Sequence, residues 1–448
     1  MKRIYYILIG IAALLSFDSC SLYRQYERPD MHWVDSLYRR LPNAEDTVSS
    51  ASVNWETFFT DSLLREWIAL GIQHNTDFNV AKIKMEEAEA ALLAARWALL
   101  PGASLSMQGG LPGSFSTSVS ASWETDIFGA LKNANRKAEA AILQSEAYRQ
   151  AVQTKLVASI ANSYYTLLML DEQLAISRRT LGTWEENIRT LEALKRAGKT
   201  NEAAVLQAKA NKYSVEASIL TLNKEILAVE NSFCALLGTV PMSIVRGTLA
   251  DQKLPETLSA GVPADLLSRR PDVKQAEMAL AQTFYDRNIA EAAFYPSLNL
   301  SGALGWTSGG VSVDGGSMIT NLVASLGQPI FSRGKIIAGR KSAEAKYRQA
   351  LYNFRQSLLD AGVEVNNALV LWNTSQKRVE LDKKQILSLQ AAVWNTQLLM
   401  KHGNANYLEV LSAQKNLLQA ELTEATDRFN EIQSIINLYQ ALGGGYDL

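Results

Sequence analysis

The sequence predicts a mainly α-helical protein that also carries a membrane β-barrel, with long helices, an internal duplication and four β-strands per protomer. Three observations lead there. Only 10 of the 448 residues are proline, and the stretches 113–240 and 330–448 contain none. Proline breaks helix interiors, so proline-free runs of that length point to very long helices. A sequence pattern also recurs roughly two hundred residues apart, the mark of a repeat architecture. Finally, the segments between the helices change from a helical period to a period of two.

Composition narrows the function. The formal net charge is −1, so no excess of Lys and Arg exists to neutralise phosphates, which argues against nucleic acid as a partner. Two cysteines exclude a disulfide framework, and three scattered histidines, His32, His74 and His402, argue against a dedicated metal site. No Gly-x-Ser-x-Gly, glycine-rich phosphate loop or histidine pair is found, so no catalytic residues and no cofactor are assigned.

The chain opens with an address. Residues 1–19 combine Lys2 and Arg3 with an apolar run from Ile4 to Leu15. That run is too short to span a bilayer as a helix but fits a secretory signal peptide. Cys20 follows the small Ser19, which suggests lipidation of its thiol, although Phe17 and Asp18 depart from the usual Leu-Ala-Gly-Cys type. Ordinary signal cleavage nearby, with Cys20 a bystander, is the other reading. Residues 20–60 are then an N-terminal lipid-anchored extended segment. No later stretch is apolar enough for a transmembrane helix.

Beyond it, two repeats occupy 61–238 and 263–448, joined by a linker at 239–262. Asp77, Ala81, Ala95, Ala98, Pro101 and Leu105 recur 195 positions later as Asp272, Ala276, Ala290, Ala293, Pro296 and Leu300. Ala121, Ser122, Ile127 and Phe128 recur at an offset of 203, as Ala324, Ser325, Ile330 and Phe331. From Ala138 onward the offset is 205, as in Gly198 and Gly403, Asn201 and Asn406, or Gly238 and Gly443. In the first repeat, helical spacing predicts helices over 62–100, 130–197 and 201–237, with a tight turn at Gly198. In the second, helices are predicted over 271–295 with an extension upstream to Pro263, over 335–401, and over 406–442 after a turn at Gly403. The pair 62–100 and 201–237, stacked end on end, matches the length of one long helix, about 100 Å.

The inserts read as strands at about 103–108, 114–124, 297–306 and 318–328. Phe115, Val119 and Trp123 alternate with Ser116, Ser118, Ser120 and Ser122, and Leu298, Leu300, Leu304 and Trp306 share a face opposite Asn299 and Ser301. A small, uncharged polar face suits a wet lumen, and strands of this length cross an outer membrane when tilted. The apolar set is therefore expected to face lipid. Four strands cannot close a barrel, and an open edge in lipid leaves backbone groups unpaired, so the chain must oligomerise cyclically. Three copies give twelve strands, enough to leave a channel. Helices alone would also fit an elongated coiled coil, but a coiled coil does not need amphipathic hairpins.

Several runs carry a family resemblance. Pro263-Ala-Asp-Leu-Leu-Ser-Arg-Arg-Pro-Asp-Val273, Ala292-Ala-Phe-Tyr-Pro-Ser297, Trp123-Glu-Thr-Asp-Ile-Phe-Gly129 and Pro329-Ile-Phe331 resemble the lipoprotein branch of the TolC-like outer-membrane efflux proteins. The resemblance covers about Trp55 to Gly443. It implies a homotrimer with a 12-stranded β-barrel in the outer membrane and a 12-helix α-barrel in the periplasm. It further implies a passive exit duct for small toxic compounds, docked through a periplasmic adaptor onto an inner-membrane resistance-nodulation-division pump. It places adaptor contacts at the helix tips, Gly198, Thr200, Asn201, Gly403, Asn406 and Tyr407. Gate candidates are Glu409, Ser412 and Lys415, with Gln207 the first-repeat counterpart of Ser412. Glu409 also reads as an ordinary solvated charge. Alternatives in function are a duct for one-step protein secretion and a structural coiled-coil lipoprotein.

Overall fold

The computed structural model describes residues 24–34, 37, 54–110, 114–252, 270–308, 317–402 and 407–444. The signal segment, Cys20, Arg269, Gly403, Asn406 and the stretch upstream of Arg270 back to Pro263 lie outside the described residues. The elements are α1 (Trp55–Phe58), α2 (Ser62–His74), α3 (Thr76–Trp97), β1 (Gly102–Gly110), β2 (Ser114–Thr125), α4 (Ala130–Arg196) and α5 (Glu202–Leu237). They continue with α6 (Pro271–Ala292), β3 (Ser297–Ser308), β4 (Ser317–Gly327), α7 (Lys335–Lys401) and α8 (Tyr407–Ala441). Both long helices, α4 and α7, have 67 residues, about 100 Å at 1.5 Å per residue.

Four expectations need correction. The helix expected over 62–100 is broken at Asn75, which ends α2 by donating its backbone N–H to Gly71 O and starts α3 by accepting from Phe78 N at 2.9 Å. Its Nδ2 donates to Leu236 O at 2.9 Å, so one buried asparagine caps the junction and ties it to the end of α5. Gly238 closes α5 in the left-handed region at φ 67, and a Cβ there would fall 2.6 Å from His74 O. The segment expected to be extended contains the short helix α1, and α6 stops at Ala292 rather than 295.

The fourth correction concerns the repeat. Thr76–Trp97 and Pro271–Ala292 are related by 195 positions, and if the first strands keep that offset, the pairing of Leu105 with Val119 and of Leu300 with Ala324 relates the second strands by 205. The 205 offset also links Gly129 and Gly334, with φ of 74 and 76. The Ala-Ser identity at 203 therefore sits two positions along the strand from its structural counterpart. A shift of two keeps each side chain on its face, so sequence similarity alone does not detect it.

The chain divides into two compact units, one of residues 1–32, 81–149 and 272–358, the other of 33–80, 150–271 and 359–448. In the first, the segment after Arg24 carries no regular secondary structure, and Arg28 grips Glu277 on α6 with two bonds of 2.8 and 2.7 Å. In the second, Leu64, Ile68, Phe78, Ile160, Leu167, Phe233, Leu237, Ile432 and Ile436 form the main core. Phe58 of α1 stacks on Tyr439 with centroids 4.0 Å apart, so α1 is held by that core.

Candidate functional site: the strand sheet and the helix tips

The four strands form one antiparallel sheet in the order β1-β2-β3-β4. Leu105 and Met107 stand beside Val119 and Thr117, which stand beside Leu304 and Trp306. Trp123 stands beside Leu300, Thr125 beside Leu298, and Leu298 beside Leu326. All seven residues expected to face lipid, Phe115, Val119, Trp123, Leu298, Leu300, Leu304 and Trp306, thus share one face. Phe115, Val119, Trp123, Leu304 and Trp306 are exposed in the single chain, whereas Leu298 and Leu300 are half-buried. The opposite face is a ladder of small polar groups: Ser104 bonds Ser120 and Ser106 bonds Ser118, each at 2.8 Å. Phe115 and Trp123 lie about 26 Å apart along β2, which matches the height of an apolar barrel band between its aromatic girdles.

At the helix tips, α4 ends at Gly198 with φ 73, where Gly198 N bonds Lys195 O and Lys199 N bonds Leu194 O. These two bonds satisfy the last carbonyls in the Schellman pattern that glycine permits. Asn201 then caps α5 by accepting from Ala204 N at 3.1 Å. Trp184, Ile188, Leu191, Val205, Ala208, Tyr407 and Leu411 pack beneath the tip. Tyr407, expected to present itself to an adaptor, instead buries its ring there, and burial pushes its hydroxyl pKa up. Gly198 and Asn201 are exposed and Thr200 is half-buried. Gln207, Glu409, Ser412 and Lys415 are all exposed, and the last three recur every third residue of α8 beside the buried Val410, Leu411 and Gln414.

Sequence reasoning missed the polar contacts that fix these helices. Arg246, in the linker, bonds Asp171 of α4 at 2.5 and 3.0 Å and Glu230 of α5 at 2.6 Å. Tyr164 Oη donates to Asp61 and accepts from Gly247 N, and Trp67 Nε1 donates to Val245 O. Asn187 donates to Gln414 at 2.7 Å between α4 and α8. Arg378 of α7 pairs with the buried Asp427 of α8 at 2.7 Å. Burial and the adjacent Asp427 push the Asp382 carboxyl up to about 6. Arg270, in the motif read as structural, donates to Ala441 O at 2.8 Å and pairs with Glu364 at 2.7 Å. Nothing in residue spacing announces such partners, which meet from distant parts of the chain.

Among the described residues no helix is long and apolar enough to cross a membrane. An amphipathic meander with two open edges, fed by paired long helices, defines a subunit of an outer-membrane β-barrel channel. The chain belongs to the outer membrane efflux protein family, whose model matches residues 67–239 and 262–444. It is 30% identical over 459 residues to the cation efflux system protein CusC of Escherichia coli O6:H1, covering 98% of each chain. It is 28% identical over 470 residues to the toluene efflux pump outer membrane protein TtgF of Pseudomonas putida, covering 98% of this chain and 97% of that one. Among solved structures it resembles the outer-membrane channel OprN with a TM-score of 0.85, at 25% identity, covering 94% of this chain and 98% of that one. The protein is an efflux channel of the outer membrane.

Proposed function

We infer that three copies of the chain form a passive exit duct, closed by twelve strands in the membrane and docked on a periplasmic adaptor and an inner-membrane resistance-nodulation-division pump. The observation that carries this reading is the four-stranded sheet, with one lipid-compatible face, one hydroxyl-lined face and two unpaired edges. An edge in hydrocarbon leaves several kcal/mol of unmet hydrogen bonding per group, so the sheet must close on other copies. The tip residues Gly198, Thr200 and Asn201 are the adaptor contact in this reading, together with Gly403 and Asn406. Glu409, Ser412, Lys415 and Gln207 line the periplasmic gate. Tyr407 supports the tip from within.

Cys20 carries the lipid that anchors the mature N-terminus in the outer membrane. Relatives named for a cation and for toluene share this architecture, so the pump, rather than a wide serine-lined duct, selects the cargo. No catalytic step is needed. The test is export: cells with adaptor and pump but without this chain should accumulate a pump substrate, and restoring the chain should lower accumulation. Unchanged accumulation with a correctly inserted trimer would overturn the duct reading.

A further inference from the structure

We propose that Glu124 sets the ionic selectivity of the duct: its copies ring the lumen at the helix end of the strand sheet, favouring cationic cargo and opposing anions. This deepens the duct reading above and rests on it. Glu124 is the only charged side chain in the four strands, which otherwise hold serine, threonine, asparagine, glutamine, glycine and apolar residues. The pairings place it on the hydroxyl-lined face, opposite Asn299, which in turn stands opposite Ser325. It is the next-to-last residue of β2, where that strand gives way to α4. The end of β4 adds no charge, since Leu326-Gly327 runs into Gln328 and Pro329.

The carboxylate is held in place and its charge is uncompensated. Its sequence neighbours are pinned through side chains on the opposite face: Trp123 Nε1 donates to Leu99 O and Thr125 Oγ1 to Leu298 O, each at 3.0 Å. Asp126, two residues on, accepts from Leu131 N at 3.0 Å and Lys132 N at 2.6 Å, so the positive end of α4 meets its charge. Glu124 is exposed in the single chain and makes no ion pair among the described residues. The field of the ring follows from the barrel's size. Twelve strands about 4.8 Å apart and tilted about 40° enclose a cylinder about 12 Å in radius, which leaves the carboxylates about 7 Å from the axis. At 0.15 M salt the Debye length, about 8 Å, spans that distance, and three charges concentrate a monovalent cation about threefold on the axis. At 1 M the Debye length is about 3 Å and the enrichment nearly disappears.

Reversal potentials of the full-length chain in uncharged planar bilayers, under a KCl gradient, test this. Glu124→Gln should lower the cation-to-anion permeability ratio by about threefold or more near 0.15 M salt, and by less than about twofold near 1 M. Glu124→Lys should turn the preference toward anions. The loss should persist in a Glu409→Ala background, which separates this ring from the helix tips. In Glu124→Cys, a negatively charged methanethiosulfonate added from the extracellular side should restore the cation preference, and Cys234 is buried and does not compete. An unchanged ratio in Glu124→Gln channels of parental conductance overturns the role of Glu124 and leaves the duct standing. So does a fall of equal size at both salt concentrations, the mark of an altered pore shape. An inserted trimer that conducts no ions overturns the duct reading itself.

Discussion

Arg246 is a single guanidinium that holds the linker to two long helices, and its removal gives a sharp test of what fixes this region. Its side chain is only 13% exposed, and it makes two bonds to Asp171, one to Glu230 and one to Ile244 O at 3.0 Å. Those carboxylates raise its pKa above the ordinary arginine value, so it stays charged at every working pH. In Arg246→Ala, Asp171, 38% exposed, rehydrates, whereas Glu230, 11% exposed, keeps only the weak bond from Ile244 N at 3.4 Å. Breaking a buried ion pair costs about 3–5 kcal/mol, and the accessibility of Asp171 brings the expected loss to the low end, about 3 kcal/mol.

The stranded charge is the larger part. Arg246→Met combined with Glu230→Gln should therefore recover more than half of the loss, and Arg246→Lys, lacking the planar fork, should fall between parent and alanine variant. Urea midpoints of the detergent-solubilised protein at constant slope measure the differences, and protease nicking within 239–252 reports the linker locally. A midpoint for Arg246→Ala within about 0.5 kcal/mol of the parent would refute the reasoning. So would a double variant as unstable as the single one.

Asp382 supplies a pH test. Its folded-state pKa, about 6, lies above the ordinary aspartate value of 3.8, so its contribution to stability is complete below the unfolded pKa and is lost as pH rises through 6. The parent should gain stability on mild acidification in that window. Asp382→Asn should flatten the gain, and an unchanged pH profile would sink the assignment. Asn75→Ala removes the α3 cap and strands Leu236 O, an expected loss of about 1–2 kcal/mol in the same urea assay. Leu304→Arg on the lipid face should cost about 2 kcal/mol per subunit, whereas Ser301→Arg on the lumen face should leave the folded fraction in vesicles nearly unchanged. Glu409→Ala should alter cation selectivity in single-channel recordings, and identical selectivity and conductance would remove Glu409 from the gate.

Much of the architecture was legible because it depends on chain-local rules. Two 67-residue helices follow from the absence of proline and the spacing of apolar residues, and their ends at Gly198 and Gly334 follow from glycine's access to positive φ. The strand faces follow from strict alternation, which fixes which side chains go together without fixing who sits opposite whom. The tip was less legible. Tyr407 stands in a sequence run that reads as surface, yet the converging Trp184, Ile188 and Leu411 close over it.

Fold class, duplication and the division of each strand into an apolar and a polar face were thus determined by the sequence itself, through periodicity and turn chemistry. Register and long-range partners were decided only by the tertiary structure. Which residues stand opposite each other, Leu105 with Val119 and Leu300 with Ala324, needed backbone pairing, because a slip of two residues leaves every side chain on its own face. The break at Asn75 needed the carbonyl of Leu236, and the grip of Arg246 needed Asp171 and Glu230, 75 and 16 positions away. Such groups carry no local signature, since their burial is tolerable only once the partner that satisfies them has been brought into place.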